Sequence, residues 1–149
     1  MLRISRMADY ALLMVFNMLS RDELITLDSL HEVTNLSLPT MRKLMRSLIS
    51  SNLVESARGS KGGFRLSRPH DQISIAEVIE AIDGPIALTE CAKLDGGLCE
   101  FQDKCGLKEN WNMVNRIISN TLHSVKLDTM AKVPIDIKRM KSKLIKILK

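Results

Sequence analysis

Three thiols lie within fifteen residues, as Cys91-x7-Cys99-x5-Cys105, and Gly96, Gly97 and Gly106 accompany them. Glycines let a backbone wrap around a small centre, and soft thiolates favour zinc or an iron–sulfur cluster over magnesium or calcium. The spacing lacks the paired Cys-x2-Cys of a zinc ribbon, and three ligands leave a tetrahedral ion one short. His31, His70 and His123 are scattered along the chain and read as structural or surface residues. An odd number of cysteines cannot form a closed disulfide set. The residues alone therefore leave two readings open, a metal centre or reduced thiols lying in a loop, and a redox-reactive thiol is a variant of the second.

Catalysis finds little support. The sequence holds no paired-carboxylate motif, no phosphate loop and no histidine beside a cysteine to activate it. Gly59-Ser-Lys-Gly-Gly63 is glycine-rich, but it lacks the strand–loop–helix setting and the Lys-Ser/Thr ending of a nucleotide site. The chain is not expected to be an enzyme.

The second chemically capable set is cationic. Of 149 residues, 22 are Lys or Arg and 17 are Asp or Glu, a formal charge of +5. Residues 1–68 carry 10 basic and 6 acidic groups (+4), residues 69–131 carry 5 and 10 (−5), and residues 132–149 carry 7 and 1 (+6). Residues 37–68 hold seven Lys/Arg against Glu55 alone, which is +6. Such a block suits a polyanion, double-stranded DNA above all. Thr40, Arg42, Lys43, Arg46 and Ser47 share one helical face behind Ser37, and Arg58, Lys61, Arg65 and Arg68 decorate the stretch that follows. Arg42 and Lys43 stand where a recognition helix meets base edges in the major groove, while Arg46, one turn on, suits a phosphate. A cation at a glycine-rich tip, as Arg58 and Lys61 are, suits the minor groove.

These residues need elements to hold them. Ala8, Ala11, Leu12, Val15 and Leu19 form one helical stripe; Leu27, Leu30 and Val33 give a short second helix capped by Thr26. After a turn at Asn35-Leu36, Ser37 caps a third helix with Pro39 in its first turn and Leu38, Met41, Leu44, Met45, Leu48 and Ile49 facing inward. Residues 53–58 alternate as a strand, Gly59–Gly63 turns, and residues 64–66 return. A helix over Ile73–Ile82 follows, with a capping box at Ser74 and Glu77, and Asp83-Gly84-Pro85 ends it. A long helix begins near Glu109, and Ile137, Met140, Leu144 and Leu148 space an amphipathic tail. The expected fold is mainly α with a small β-hairpin wing, a winged helix-turn-helix with a long C-terminal helix.

Composition narrows the rest. At 3% aromatic, the chain lacks the platforms of a base-stacking single-strand reader. Its longest apolar run, Ala11–Phe16, falls far short of the roughly 20 residues that cross a bilayer. No cleavable secretory signal is recognisable, so no membrane partner and a cytoplasmic location are expected.

Assembled, the opening Met1–Ala11, the wing Asn52–Leu66 and the three-cysteine loop resemble the Rrf-two family of bacterial transcription regulators (the IscR/NsrR type). Asp83–Cys91, Asn110-Trp111 and Val125–Met130 are similar to its branch that regulates SUF iron–sulfur assembly. The resemblance covers residues 1–131. It implies a homodimer, a repressor of cluster-assembly genes on a near-palindromic operator, and a dimerisation helix over Glu109–Leu127. The apolar stripe of that helix is Met113, Val114, Ile117, Ile118, Thr121, Leu122 and Val125. It also implies an iron–sulfur cluster, 2Fe-2S or 4Fe-4S, on Cys91, Cys99 and Cys105, with operator reading by Arg42 and Lys43 and a minor-groove contact by Arg58. Lys108 stands where some members carry a histidine ligand. Asp9 stands where others supply an acidic ligand, and it reads equally as a first-turn helix charge. The implied organisation is a DNA-binding domain at 1–83, a cysteine loop at 84–108, a dimerisation helix at 109–131 and a basic tail at 132–149.

Overall fold

Hydroxyls mark four helix starts. Ser5, Thr26, Ser37 and Ser74 are extended residues whose side-chain oxygens accept from the backbone N–H groups of Ala8, Ser29, Thr40 and Glu77. Each satisfies a donor that a helix start leaves without an intrahelical partner. They open α1 (Arg6–Phe16), α2 (Leu27–Thr34), α3 (Leu38–Ser50) and α4 (Ile75–Asp83). Between α3 and α4 run β1 (Val54–Ala57) and β2 (Gly63–Leu66), antiparallel, with Val54 opposite Leu66 and Ala57 opposite Gly63. A 3-10 turn at Glu90–Ala92 precedes α5 (Lys108–Ser124) and α6 (Leu127–Ala131). The computed structural model describes residues 3–19, 24–59, 61–92 and 105–131. Cys99 and the tail read from Val133 onward lie outside them.

The core gathers where α1, α3 and α4 meet. Ala8 and Ala11, both fully buried, allow close approach, and Met14, Val15, Met41, Leu44, Leu48, Val78 and Ile79 fill the space. Flexible Met14, Met41 and Met45 take the irregular gaps that aromatic rings would fill elsewhere. The capping box at Ser74 and Glu77 is formed in both directions.

Four expectations change. Val33 is 41% exposed, because the inner stripe of α2 runs through Leu30 to Thr34, whose buried hydroxyl donates to the Leu30 carbonyl at 2.6 Å. Ile49 is 37% exposed, at the edge of α3 rather than beneath it. Ile25 pairs with Phe64 through two backbone hydrogen bonds of 2.9 Å, a single bridging residue beside β2. That approach needs Gly63: a Cβ there would lie 2.9 Å from the Ile25 carbonyl oxygen.

The fourth change concerns the long helix. It does not run through to Leu127 but ends at Ser124, and Val125 is extended (φ −84°, ψ 108°). There the chain leaves the helix to pair with the stretch that enters α4. The Ile75 N–H donates to the Val125 carbonyl and the Leu127 N–H to the Ile73 carbonyl, both at 3.0 Å. Fully buried Leu127 then starts α6. The seven-residue stripe correspondingly splits into two faces: Leu122 and Val125 pack on the core, whereas Met113 and Ile117 are 56% and 59% exposed. With 3.6 residues to a turn, each residue advances about 100° around the helix, so the 113–117 line faces a different side from the 114–118–122 line.

Candidate nucleic-acid interface and cysteine loop

The turn between α2 and α3 is held from three sides. Asn35 takes the left-handed conformation (φ 57°), which asparagine tolerates better than most residues. The His31 ring N–H donates to the Leu36 carbonyl at 2.7 Å, and the Leu36 N–H donates to the Thr34 hydroxyl at 3.3 Å. Rigidity there fixes the start of α3. Burial of Met41, Leu44, Met45 and Leu48 then fixes its rotation, so Arg42, Lys43 and Arg46 face solvent. Among the described residues none of these three pairs with a carboxylate. Ser37 and Thr40 share a 2.8 Å hydrogen bond between their hydroxyls at the exposed helix start. An apolar cleft of 350 Å³ is lined by Leu27, Met45, Ile49 and Phe64, with Arg42 and Arg46 also on its walls.

On the wing, Arg58 and Lys61 are exposed and likewise without a carboxylate partner among the described residues. The tip requires glycine at 62, where a Cβ would lie 2.5 Å from the Ala57 carbonyl oxygen. Two cations assigned to the hairpin surface are instead tied down. Arg65 pairs with Glu55 directly across the strands, and Arg68 donates to Glu77 at 2.7 Å. Glu77 also accepts from the Ser74 N–H at 2.7 Å and the Ser74 hydroxyl at 2.9 Å, so one carboxylate caps α4 and anchors the exit of β2. Burial on its own would raise the Glu77 carboxyl, but the hydrogen bonds from Arg68 and Ser74 outweigh it and hold the group below the ordinary carboxylate range.

Cys91 lies in the 3-10 turn, half-buried, with the Thr89 hydroxyl 3.2 Å from its sulfur. Cys105, also half-buried, lies three residues before α5. Both are free thiols of the soft donor type that zinc and iron–sulfur centres take, so the donor chemistry fits such a group. Among the described residues no three Cys, His, Asp or Glu side chains converge on one point. Asp9 is exposed in the first turn of α1, and Lys108 is the first residue of α5.

Two ties that sequence reasoning missed hold the segment after α4. Asn115 of α5 accepts from the Leu88 N–H at 2.9 Å and donates to the Ile86 carbonyl at 3.0 Å. His123 bridges α5 to α4, with Nε2 3.3 Å from the Glu80 carboxylate and Nδ1 2.9 Å from the Ser119 carbonyl. Asn115 carried a legible signal: it is polar at the helical spacing of Trp111, Ile118 and Leu122. The bridge of His123 carried none, because its partner is 43 residues away.

Residues 4–133 match the Rrf2 family, described as an iron-dependent transcriptional regulator. The HTH-type transcriptional regulator IscR of Xenorhabdus nematophila is 31% identical over 113 residues, 76% of this chain and 68% of that protein. The HTH-type transcriptional regulator NsrR of Oceanobacillus iheyensis is 28% identical over 133 residues, 88% of this chain and 90% of the other. The solved structure of CymR, the global cysteine regulator of B. subtilis, matches with a TM-score of 0.71 at 27% identity, covering 89% of this chain and 98% of its own. A helix-turn-helix followed by a two-stranded wing, within a family match that spans nearly the whole described chain, leads to one conclusion: the protein belongs to the Rrf2 (Rrf-two) family and is a DNA-binding transcriptional regulator, not an enzyme.

Proposed function

We propose that the chain is an iron–sulfur-cluster-responsive repressor that binds its operator as a homodimer and controls genes of SUF-type cluster assembly. One observation carries the DNA-reading half. After Glu55 and Glu77 have taken Arg65 and Arg68, the cations left exposed and unpaired among the described residues of α3 and the wing are Arg42, Lys43, Arg46, Arg58 and Lys61. Arg42 and Lys43 read base edges in the major groove, Arg46 with the Ser37 and Thr40 hydroxyls holds phosphate, and Arg58 and Lys61 reach the minor groove. Exposed Met113 and Ile117 on α5 supply an apolar face for a second copy, which sets two recognition helices about 34 Å apart on the duplex.

Cys91, Cys99 and Cys105 hold the cluster, and Asp9 is the candidate for the remaining position. A cluster bound there supplies a group that exchanges electrons and is lost to oxidants. The chain's own part is mechanical: the turn that carries Cys91 packs against α5, α5 against α4 and α4 against α3, so a displaced thiol shifts the reading helix.

Anaerobic purification tests the cluster. A brown protein with equal iron and sulfide, bleached in Cys99→Ala, is expected; a colourless protein with stoichiometric zinc, or with no metal, defeats cluster sensing. The DNA half is tested separately by gel shift, where Arg42→Ala must relax sequence preference.

A further inference from the structure

Between the end of α4 and the 3-10 turn that carries Cys91, residues 84–89 belong to no helix or strand. Irregular backbone must find partners for its N–H and C=O groups elsewhere. Among the described residues, one side chain serves two of them. The amide of Asn115 accepts from the Leu88 N–H at 2.9 Å and donates to the Ile86 carbonyl at 3.0 Å, the pairing that a neighbouring strand would offer residues two apart. Both ends of the amide are used, so only one orientation satisfies both backbone groups.

From this clamp the path to the sulfur is short. Leu88 adjoins Thr89, whose carbonyl accepts from the Ala92 N–H at 3.0 Å and whose hydroxyl lies 3.2 Å from the Cys91 sulfur. A longer contact also reaches this stretch: the Ile86 N–H lies 3.5 Å from the Glu80 carboxylate. On α5 itself, Asn115 sits between Met113 and Ile117, two residues with more than half their surface exposed.

We propose that Asn115 is a positioning residue for Cys91: it fixes the backbone that carries the thiol to α5, and so sets where the sulfur stands for any soft metal centre bound there. The proposal rests on the reading of Cys91 as a ligand. It needs no particular ligand to be tested.

The experiment uses the reduced, metal-free full-length chain. Asn115→Leu keeps the volume and removes both hydrogen bonds; Asn115→Asp keeps the acceptor for Leu88 and removes the donor to Ile86. Amide exchange at Leu88 and iodoacetamide alkylation of Cys91 relative to Cys105, read by mass spectrometry, are the measurements. In Asn115→Leu, Leu88 exchange and the Cys91:Cys105 alkylation ratio rise about tenfold, the scale of one lost net hydrogen bond. Amides in α1 stay protected. Asn115→Asp holds Leu88 protection within about threefold of the parent while the alkylation ratio still rises.

A ratio within twofold of the parent in both variants overturns the proposal. So does equal acceleration at Cys91 and Cys105, which marks a merely structural role. If Asn115→Leu fails to fold, the ratio in Asn115→Asp decides alone. A parent protein that stays colourless with iron and sulfide defeats the cluster reading, and the metal-free ratio still decides on Asn115.

Discussion

Replacing Glu77 by alanine tests how the wing is joined to the body. The carboxylate accepts three hydrogen bonds: from the Ser74 N–H at 2.7 Å, from the Ser74 hydroxyl at 2.9 Å, and from Arg68 at 2.7 Å. Ser74 has no exposed surface, so in Glu77→Ala its N–H is left buried without an acceptor, at a cost of about 1–3 kcal/mol. The pair with Arg68 is 36% and 28% exposed and adds only about 0.5 kcal/mol. The sum is about 1.5–3.5 kcal/mol, which for about 150 residues lowers Tm by roughly 3–14 °C in thermal melts followed by circular dichroism.

Two companions sharpen the test. Arg68→Ala, which leaves the cap intact, should cost no more than about 1 kcal/mol. Glu77→Gln keeps one acceptor and should fall between the two. Because the Glu77 pKa is depressed in the folded state, its contribution is complete above the ordinary carboxylate range and disappears as pH falls through the lower folded value. The advantage of the parent over Glu77→Gln should therefore shrink as pH falls below the ordinary carboxylate range. If Glu77→Ala melts within about 2 °C of the parent, or if Arg68→Ala costs as much, the buried Ser74 donor is not what Glu77 protects.

Arg46→Ala should lower the slope of log affinity against log salt by about 1, and an unchanged slope removes the assigned phosphate contact. Gly62→Ala forces a Cβ to within 2.5 Å of the Ala57 carbonyl oxygen, so the wing tip must shift. Fluorescence anisotropy should show operator affinity reduced about tenfold, while Tm, read on an exposed turn, changes little. Leu48→Ala empties a site with no exposed surface beneath the recognition helix and should cost about 3 kcal/mol in urea titration; a loss below about 1 kcal/mol would mean that α3 repacks freely.

Local grammar was the most legible part of the sequence. Hydroxyl caps at Thr26, Ser37 and Ser74 and the Ser74–Glu77 box are set by neighbours within three residues, and each formed as read. The reader helix was legible too, because its apolar and cationic residues separate cleanly by period. What sequence could not supply was pairing across distance. Arg65 and Arg68 counted as surface charge until Glu55 and Glu77 were found opposite them. Ile25 is a single apolar residue with no alternation around it, and its bridge depends on Phe64 from 39 residues later. Val125 continued a helical stripe, and its departure from helix is dictated by Ile75 from 50 residues earlier. Asn115 belongs to the same class: it is a polar residue at apolar spacing, and its two partners lie 27 and 29 residues back.

The pairing of residues 73–75 with 125–127 closes the segment between them at its base. Chain-closure entropy across that segment is thus settled by backbone bonds remote from the thiols. Lengthening or shortening the stretch between Cys91 and Cys105 then changes the free energy only logarithmically, by about 0.6 kcal/mol for each doubling. A head of α1 to α4 can keep its core while the excursion between Cys91 and Cys105 varies in length. Such a chain can vary that segment without relearning how to fold.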